Sequence, residues 1–419
     1  MHEPAARLEG AIRNYAWGSR TTLARLQGRA APTSEPEAEL WLGAHPLAPA
    51  TLCRADGSRT PLDVAVGEAP VHMLGEPVVH SYGPTLPFLL KVLAVESPLS
   101  LQVHPDSGQA RVGFEAEEAA QVPRDAPHRV FRDCWGKPEL LCALSRMQVL
   151  CGLRPVEEAV AVLRALEVSA LAPLATQLAT QGAAALGSVV RRLLTWPDTQ
   201  RAQLVAAVAA GAERLCGQGG RFAASAGWVR RLADEHPRDP GVVVALLLHL
   251  VDLAPGDAVD VPPGTPHAYL RGTGIEVMAS SDNVIRGGLT AKHVDVDRLL
   301  AVLDPRPGPP PVLAAEQADG WQHYPSATQA FCLSRLTVGQ RIDLDGGTPQ
   351  VLLTVDGRIE VHAPAPRREA ERTAPVALGP GQAAFVPAGT SSLALHGAGT
   401  AFRATPPAQP AATRTPATR

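Results

Sequence analysis

Residues 1–153 alternate short apolar runs with Pro, Gly and Ser, as in Pro87–Leu93 and Leu99–Val103. Apolar runs of that length between turn formers predict short β-strands. The pattern changes at Pro155, a proline at a predicted first helical position, followed by Glu157 and Glu158, which suit a helix N-terminus. Val162, Leu163 and Leu166 then recur at helical spacing, and Asp198 is placed to cap a helix carrying Leu204, Val208 and Leu215 on one face. Residues 154–236 are therefore predicted to form an Ala-rich helical insert. At Pro237–Gly241 the pattern returns to strands and turns, which continue to residue 303. Asp304–Pro311, DPRPGPPP, can continue neither a helix nor a central strand, so 304–315 is expected to be a linker. Residues 316–403 again read as β-structure, and residues 404–419 lack core-forming side chains and are expected to be disordered.

An internal echo joins the two β-regions. Leu253–Thr265 reads LAPGDAVDVPPGT and Leu378–Thr390 reads LGPGQAAFVPAGT, eight of thirteen positions being identical. Each has a Pro-Gly turn, a short strand and a second tight turn. The separation is too long for a solenoid repeat and predicts two copies of one β-domain. They differ where chemistry would sit: His267 stands two residues beyond Thr265, whereas Ser392 occupies the matching place beyond Thr390. One copy is expected to be competent and the other degenerate and structural.

Composition narrows the function. The 419 residues carry a net charge of −3 and only 4% aromatics. This argues against an electrostatic nucleic-acid binder and against a base-stacking platform. No leading segment has the apolar core of a signal peptide. The longest apolar run, Val242–Leu248, is broken by His249 and Asp252 and is too short to span a bilayer. Six scattered cysteines without a CxxC pair are expected to be free thiols of a cytoplasmic protein, not zinc ligands. No GxGxxG or GxxxxGK[ST] loop is present, so no nucleotide cofactor is expected.

The candidate chemistry lies in three segments. Gly256, Pro262, Gly264 and His267 fit the spacing G-x5-P-x-G-x2-H, which resembles the second motif of the cupins, jelly-roll barrels that hold a metal inside. In a strand, Gln102 and His104 would face the same side, which is how one strand supplies two ligands. Glu139 follows Lys137-Pro138.

Together these segments resemble the type I mannose-6-phosphate isomerases (phosphomannose isomerases) of the cupin superfamily. The resemblance is carried by Asn14–Gly18 (NYAWG), Ala38–Pro46 (AELWLGAHP), Pro87–Lys91 (PFLLK), Leu99–Asp106 (LSLQVHPD), Lys137–Leu140 (KPEL), Pro263–Tyr269 (PGTPHAY) and Ser281–Thr290 (SDNVIRGGLT). It runs from Leu8 to about Leu300 and continues weakly to about Phe402. Two places depart from the family: Trp135-Gly136 stands where many members have Asn-His, and Tyr15-Ala16-Trp17-Gly18 replaces Tyr-Pro-Trp-Gly.

The resemblance implies a mainly β fold of two cupin-like barrels. Residues 1–153 with 237–303 would form the metal-bearing domain and 316–403 the degenerate one. It implies one zinc ion per chain on Gln102, His104, Glu139 and His267, with a position left open. It further implies interconversion of mannose 6-phosphate and fructose 6-phosphate through a cis-enediol(ate), in a chain that acts as a monomer on a small sugar phosphate. By resemblance Arg286 is an active-site residue, with Lys137, Glu276 and Asp282 near it. The sequence leaves the proton carrier open among His104, Asp282, Glu276 and Lys137, with Asp282 favoured because it lies four residues before Arg286. Arg286, Lys292, Lys91 and Lys137 are candidate phosphate cations, Arg being suited to bidentate contact, and Ser100 could add a hydroxyl. Two other readings compete: a metal-dependent cupin of another reaction class, such as an iron dioxygenase, and a non-catalytic sugar-phosphate-binding relative.

Overall fold

The computed structural model describes residues 3–318, 320–362 and 374–407. Two eleven-stranded antiparallel sheets, each wrapped into a barrel, account for most of the β-structure. In the first, Glu139–Ala143, His267–Ala279, Phe88–Val95 and Glu39–Leu42 lie side by side. The long strand His267–Ala279 serves both faces of this barrel. Its later residues pair with Phe88–Val95 and Glu139–Ala143, while His267–Arg271 pair with Met147–Leu153 and His267 also with Gln102. It turns between the faces at Gly272, whose φ of 123° and close approach to the Met147 Cα exclude a side chain.

All eight residues of Phe88–Val95 are buried, because both faces of the strand are covered. Phe88, Leu90, Val92 and Ala94 pack into the core shared with the second barrel. Leu93 and Val95 belong to the first barrel's own interior. Alternation of period two therefore points Lys91 inward as well. The same rule, applied to the neighbouring strands, aims Glu39, Trp41, Glu139, His267, Tyr269, Glu276 and Met278 at the interior.

The second barrel is filled differently. Leu336, Val338, Leu352, Ile359, Val361, Leu393 and Leu395 form an apolar core. Its repeat hairpin places Ser392, at the start of Ser392–Thr405, in solvent, whereas His267 at the start of His267–Ala279 is buried.

The helical insert packs Val162, Leu163, Leu166, Leu204, Val208 and Leu215 into one core with Leu101, Val103 and Ile285 of the first barrel. Several boundaries shift from the sequence expectation. Pro155 is the N-cap and the helix starts at Val156. Likewise Pro197 is the N-cap, and Asp198 is the first residue of the helix Asp198–Gln218. After Pro240 the chain stays helical through Gly241–Val244 and Ala245–Leu247, and the strand begins only at Leu248. Residues 241–248 are buried on all sides, and a uniformly apolar run carries no period to separate helix from strand. Ala404 and Thr405 complete the last strand, with Ala404 fully buried, so they are not part of a disordered tail; residues 408–419 lie outside the described residues.

The strand pairings also cut across the boundaries drawn from sequence. Ala6–Glu9, Thr51–Cys53 and Arg59–Pro61 are hydrogen-bonded into the second sheet, Ala6–Glu9 lying between Thr51–Cys53 and Ala383–Val386. Among the described residues no helix is long and apolar enough to cross a membrane.

Candidate metal centre and pocket

The inward-facing residues of the first barrel line a pocket of about 450 Å³. At its base the ligand-type atoms of His104, Glu139 and His267 all lie within 4.8 Å of one another. His104 Nε2 is 3.2 Å from Glu139 Oε1, and His267 Nε2 is 3.4 Å from Glu139 Oε2. Backbone oxygens set both rings: His104 Nδ1 donates to Asn283 O at 2.8 Å and His267 Nδ1 to Thr265 O at 3.0 Å. Each Nδ1 therefore carries its proton, and each Nε2 presents a lone pair to the same point beside the carboxylate. Burial, with Lys137 nearby, pushes the His104 imidazole down to about 4, so it is neutral as a metal ligand must be. His104 Nε2 is buried without a hydrogen-bond partner. An orphaned imidazole nitrogen in a buried two-imidazole, one-carboxylate set fits a divalent cation of zinc's preference.

Gln102 lines the same pocket, and its register partner across the sheet is His267. Its amide nitrogen donates to Ser100 Oγ at 3.3 Å, which leaves the amide oxygen as the atom available to a cation. Glu139 also meets Lys137, whose Nζ is 3.2 Å from Oε1, and Tyr269, whose hydroxyl donates to Oε2 at 3.4 Å. Desolvation opposes its charge, yet the Lys137 ammonium holds the carboxyl well below the usual range.

Lys91 is not a free cation waiting for phosphate. Its ammonium is buried 3.0 Å from Glu276 Oε2 and 3.7 Å from Glu39 Oε2, and it also sits over the Trp41 ring. The Trp41 indole N–H donates to the Glu39 carboxylate. Burial works against the Lys91 charge, but Glu276, Glu39 and Glu139 outweigh it and raise its pKa. Burial raises the pKa of Glu276 against the pull of Lys91, with Glu139 and Glu39 adding to the rise.

Asp282 lies on the pocket wall beside a residue to which the sequence reading gave no role. His45 Nε2 is 3.4 Å from Asp282 Oδ1, and Leu47 N donates to His45 Nδ1 at 3.3 Å, so the imidazole proton faces the carboxylate. Burial opposes ionisation of Asp282, but His45, and behind it Lys137 and Arg132, keep its carboxyl below the usual range. Arg286 is half-buried on the strand Ile285–Arg286, opposite Gln102, and Lys292 is exposed at the pocket rim. Arg132 lines the pocket too and was also missed.

The loop that departs from the family pattern has a packing reason. A Cβ on Gly136 would stand 2.7 Å from Ser107 N and 2.9 Å from the Asp106 carbonyl carbon, so no larger residue fits there with this backbone. Trp135 turns away from the pocket and packs against Tyr82 with ring centroids 5.5 Å apart.

Two β-barrels, a buried His-Glu-His cluster inside one of them and an apolar filling in the other define a two-barrel cupin with a candidate metal centre in the first barrel. Residues 5–156 match the family model for the phosphomannose isomerase type I catalytic domain. The chain is 33% identical to mannose-6-phosphate isomerase of Salmonella typhimurium over 94% of its own length and 97% of that protein. It is 37% identical to the Escherichia coli mannose-6-phosphate isomerase over 70% of the chain and 73% of that protein. The crystal structure of the Salmonella typhimurium enzyme bound to fructose 6-phosphate and zinc superposes with a TM-score of 0.87 at 32% identity, covering 96% of this chain and all of that one. The chain belongs to the type I phosphomannose isomerase family.

Proposed function

We propose that the chain is a zinc-dependent aldose-ketose isomerase that interconverts mannose 6-phosphate and fructose 6-phosphate. The observation that carries this reading is the pair of Nε2 atoms, His104 and His267, fixed by backbone acceptors to face one carboxylate at the base of a polar pocket. Gln102, His104, Glu139 and His267 would hold the zinc, which supplies Lewis-acid polarisation of the sugar carbonyl when bound.

The remaining steps belong to the chain's own residues. The reaction moves a proton between C1 and C2, and an enediolate charge develops on the adjacent oxygens. Asp282 is the carboxylate with the better claim to carry that proton. It is ionised, lies on the pocket wall outside the metal cluster, and is oriented by the N–H of His45. Glu276 is already committed to Lys91. Lys137, buried beside Glu139, and Arg286 are positioned to face the developing negative charge. Arg286 and Lys292, which have no ion-pair partner among the described residues, would meet the phosphate, and Ser100 lines the same pocket. We assign the chain to the cytoplasm as a monomer. Six free cysteines and an exposed apolar surface limited to Leu47, Val64, Val71, Val112 and Val312 among the large described side chains support that assignment.

The test is zinc analysis combined with a coupled assay on mannose 6-phosphate, before and after chelation. The reading expects about one zinc per chain and activity that chelation removes and zinc restores. A protein that retains full turnover without metal would refute the zinc assignment. For the proton carrier, Asp282→Asn is expected to lower kcat about 10²–10⁴-fold, the usual worth of a general base, while KM and zinc content change little. Unchanged kcat would move the role to Glu276 or Lys137.

A further inference from the structure

We propose that Arg132 is a further substrate-binding residue, which grips the anionic group of the substrate together with Arg286 and Lys292. The proposal rests on the sugar-phosphate reading above and adds a residue to it. Arg132, Arg286 and Lys292 line the same pocket. Among the described residues, none hydrogen bonds to or ion-pairs with the guanidinium of Arg132, that of Arg286 or the ammonium of Lys292. Every other cation at the pocket base is balanced: Lys91 by Glu276 and Glu39, Lys137 by Glu139. Burial lowers the pKa of Arg286 and of Lys292. Like charge lowers them further, from Arg132 on Arg286 and from Arg286 and Arg132 on Lys292. Three cations so placed are unfavourable unless an anion joins them. A phosphate monoester, with two negative charges and several acceptor oxygens, suits such a group, and guanidinium forks match its geometry.

The backbone that carries Arg132 is fixed to the backbone that carries Arg286. Asn283, fully buried, accepts the Arg132 N–H on Oδ1 at 2.7 Å. Its amide nitrogen donates to Asp133 O and Trp135 O, both at 2.9 Å. Asp133 in turn accepts from Asp282 N at 2.8 Å and Ser281 Oγ at 2.9 Å. Arg286 follows Asn283 by three residues, so one carboxamide ties together the two backbone segments that carry the guanidinium groups. The Asn283 carbonyl also orients His104, which ties the anion grip to the metal centre.

The test compares wild type, Arg132→Ala and Arg132→Lys in steady-state kinetics on mannose 6-phosphate and in inhibition by inorganic phosphate. Arg132 is exposed, so both variants are expected to fold. Arg132→Ala should raise KM about tenfold or more, the worth of one charge-assisted hydrogen bond, and weaken phosphate inhibition similarly, with kcat within about threefold. Arg132→Lys should recover part of both losses. Unchanged KM and phosphate inhibition in Arg132→Ala would overturn the proposal. So would a fall in kcat at constant KM, which would place Arg132 at the reacting atoms. Failure of the functional reading looks different: wild type itself would not turn over mannose 6-phosphate. The proposal would then stand or fall on calorimetric binding of inorganic phosphate, which Arg132→Ala should weaken.

Discussion

His267→Ala is expected to release zinc and abolish isomerisation. His267 is buried at the head of its strand, with Nδ1 held by Thr265 O and Nε2 turned toward Glu139. Alanine removes one of two imidazoles from a centre where His104 Nε2 already has no protein hydrogen bond. What remains is one imidazole, one carboxylate and one amide, a poor set for a zinc ion that prefers nitrogen donors. Loss of Lewis-acid stabilisation worth several kcal/mol corresponds to about 10³-fold or more in rate. Metal analysis after dialysis should find little zinc, and added zinc should restore activity only at concentrations far above those needed by wild type. The fold should survive, because the helical and inter-barrel cores do not depend on this side chain. A variant that stays active and metal-free would remove the centre from the mechanism.

Lys91→Met is expected to destabilise the first barrel by about 3–5 kcal/mol, the range for removing one member of a buried ion pair. Its side chain is 9% exposed and that of Glu276 is 5% exposed, so solvent screening gives little relief. Methionine preserves the stem but leaves Glu276, Glu39 and Glu139 without the central cation. Burial already raises the pKa of Glu276 while Lys91 pulls it down, and without Lys91 it must rise further. A carboxyl whose folded pKa is raised stabilises the fold below its unfolded pKa and loses that contribution as pH rises. The stability deficit should therefore be smaller near pH 5 than near pH 8 in chemical denaturation. Equal stability of variant and wild type at both values would show that the three carboxylates do not need the cation.

The metal cluster was legible because its residues sit in short motifs that together resemble one family, and that resemblance implied the ligand set. His267 follows a turn whose glycines and prolines are fixed by backbone geometry, and Gly256 and Gly264 do adopt positive φ. Inward-pointing Lys91, Glu139 and Glu276 could be read from strand alternation once a strand was placed. Arg132, Asn283 and His45 could not. Asn283 lies 151 residues from Arg132 in sequence, and its task is to satisfy backbone groups of a distant loop. Nothing local distinguishes such an asparagine from any other turn residue. The pairing of Lys91 is hidden for the same reason: its carboxylates come from Glu276, 185 residues away, and from Glu39 on another strand. The end of the insert was misplaced because a run of valines and leucines buried on every side has no periodicity.

The position of Ala6–Glu9 constrains how the molecule is made and how it can be cut. This strand is synthesised long before its partner, for one of its hydrogen-bonding edges is completed only by Ala383–Val386, about 380 residues later. A nascent chain must keep that edge unpaired until Ala383–Val386 has been made, which makes folding non-local and slow. A fragment ending at the Pro-rich linker would carry a bare strand edge and half of the inter-barrel core exposed. The barrel that lacks the metal centre is therefore not a dispensable module, and exchanging it between relatives should require exchanging the first sixty residues with it.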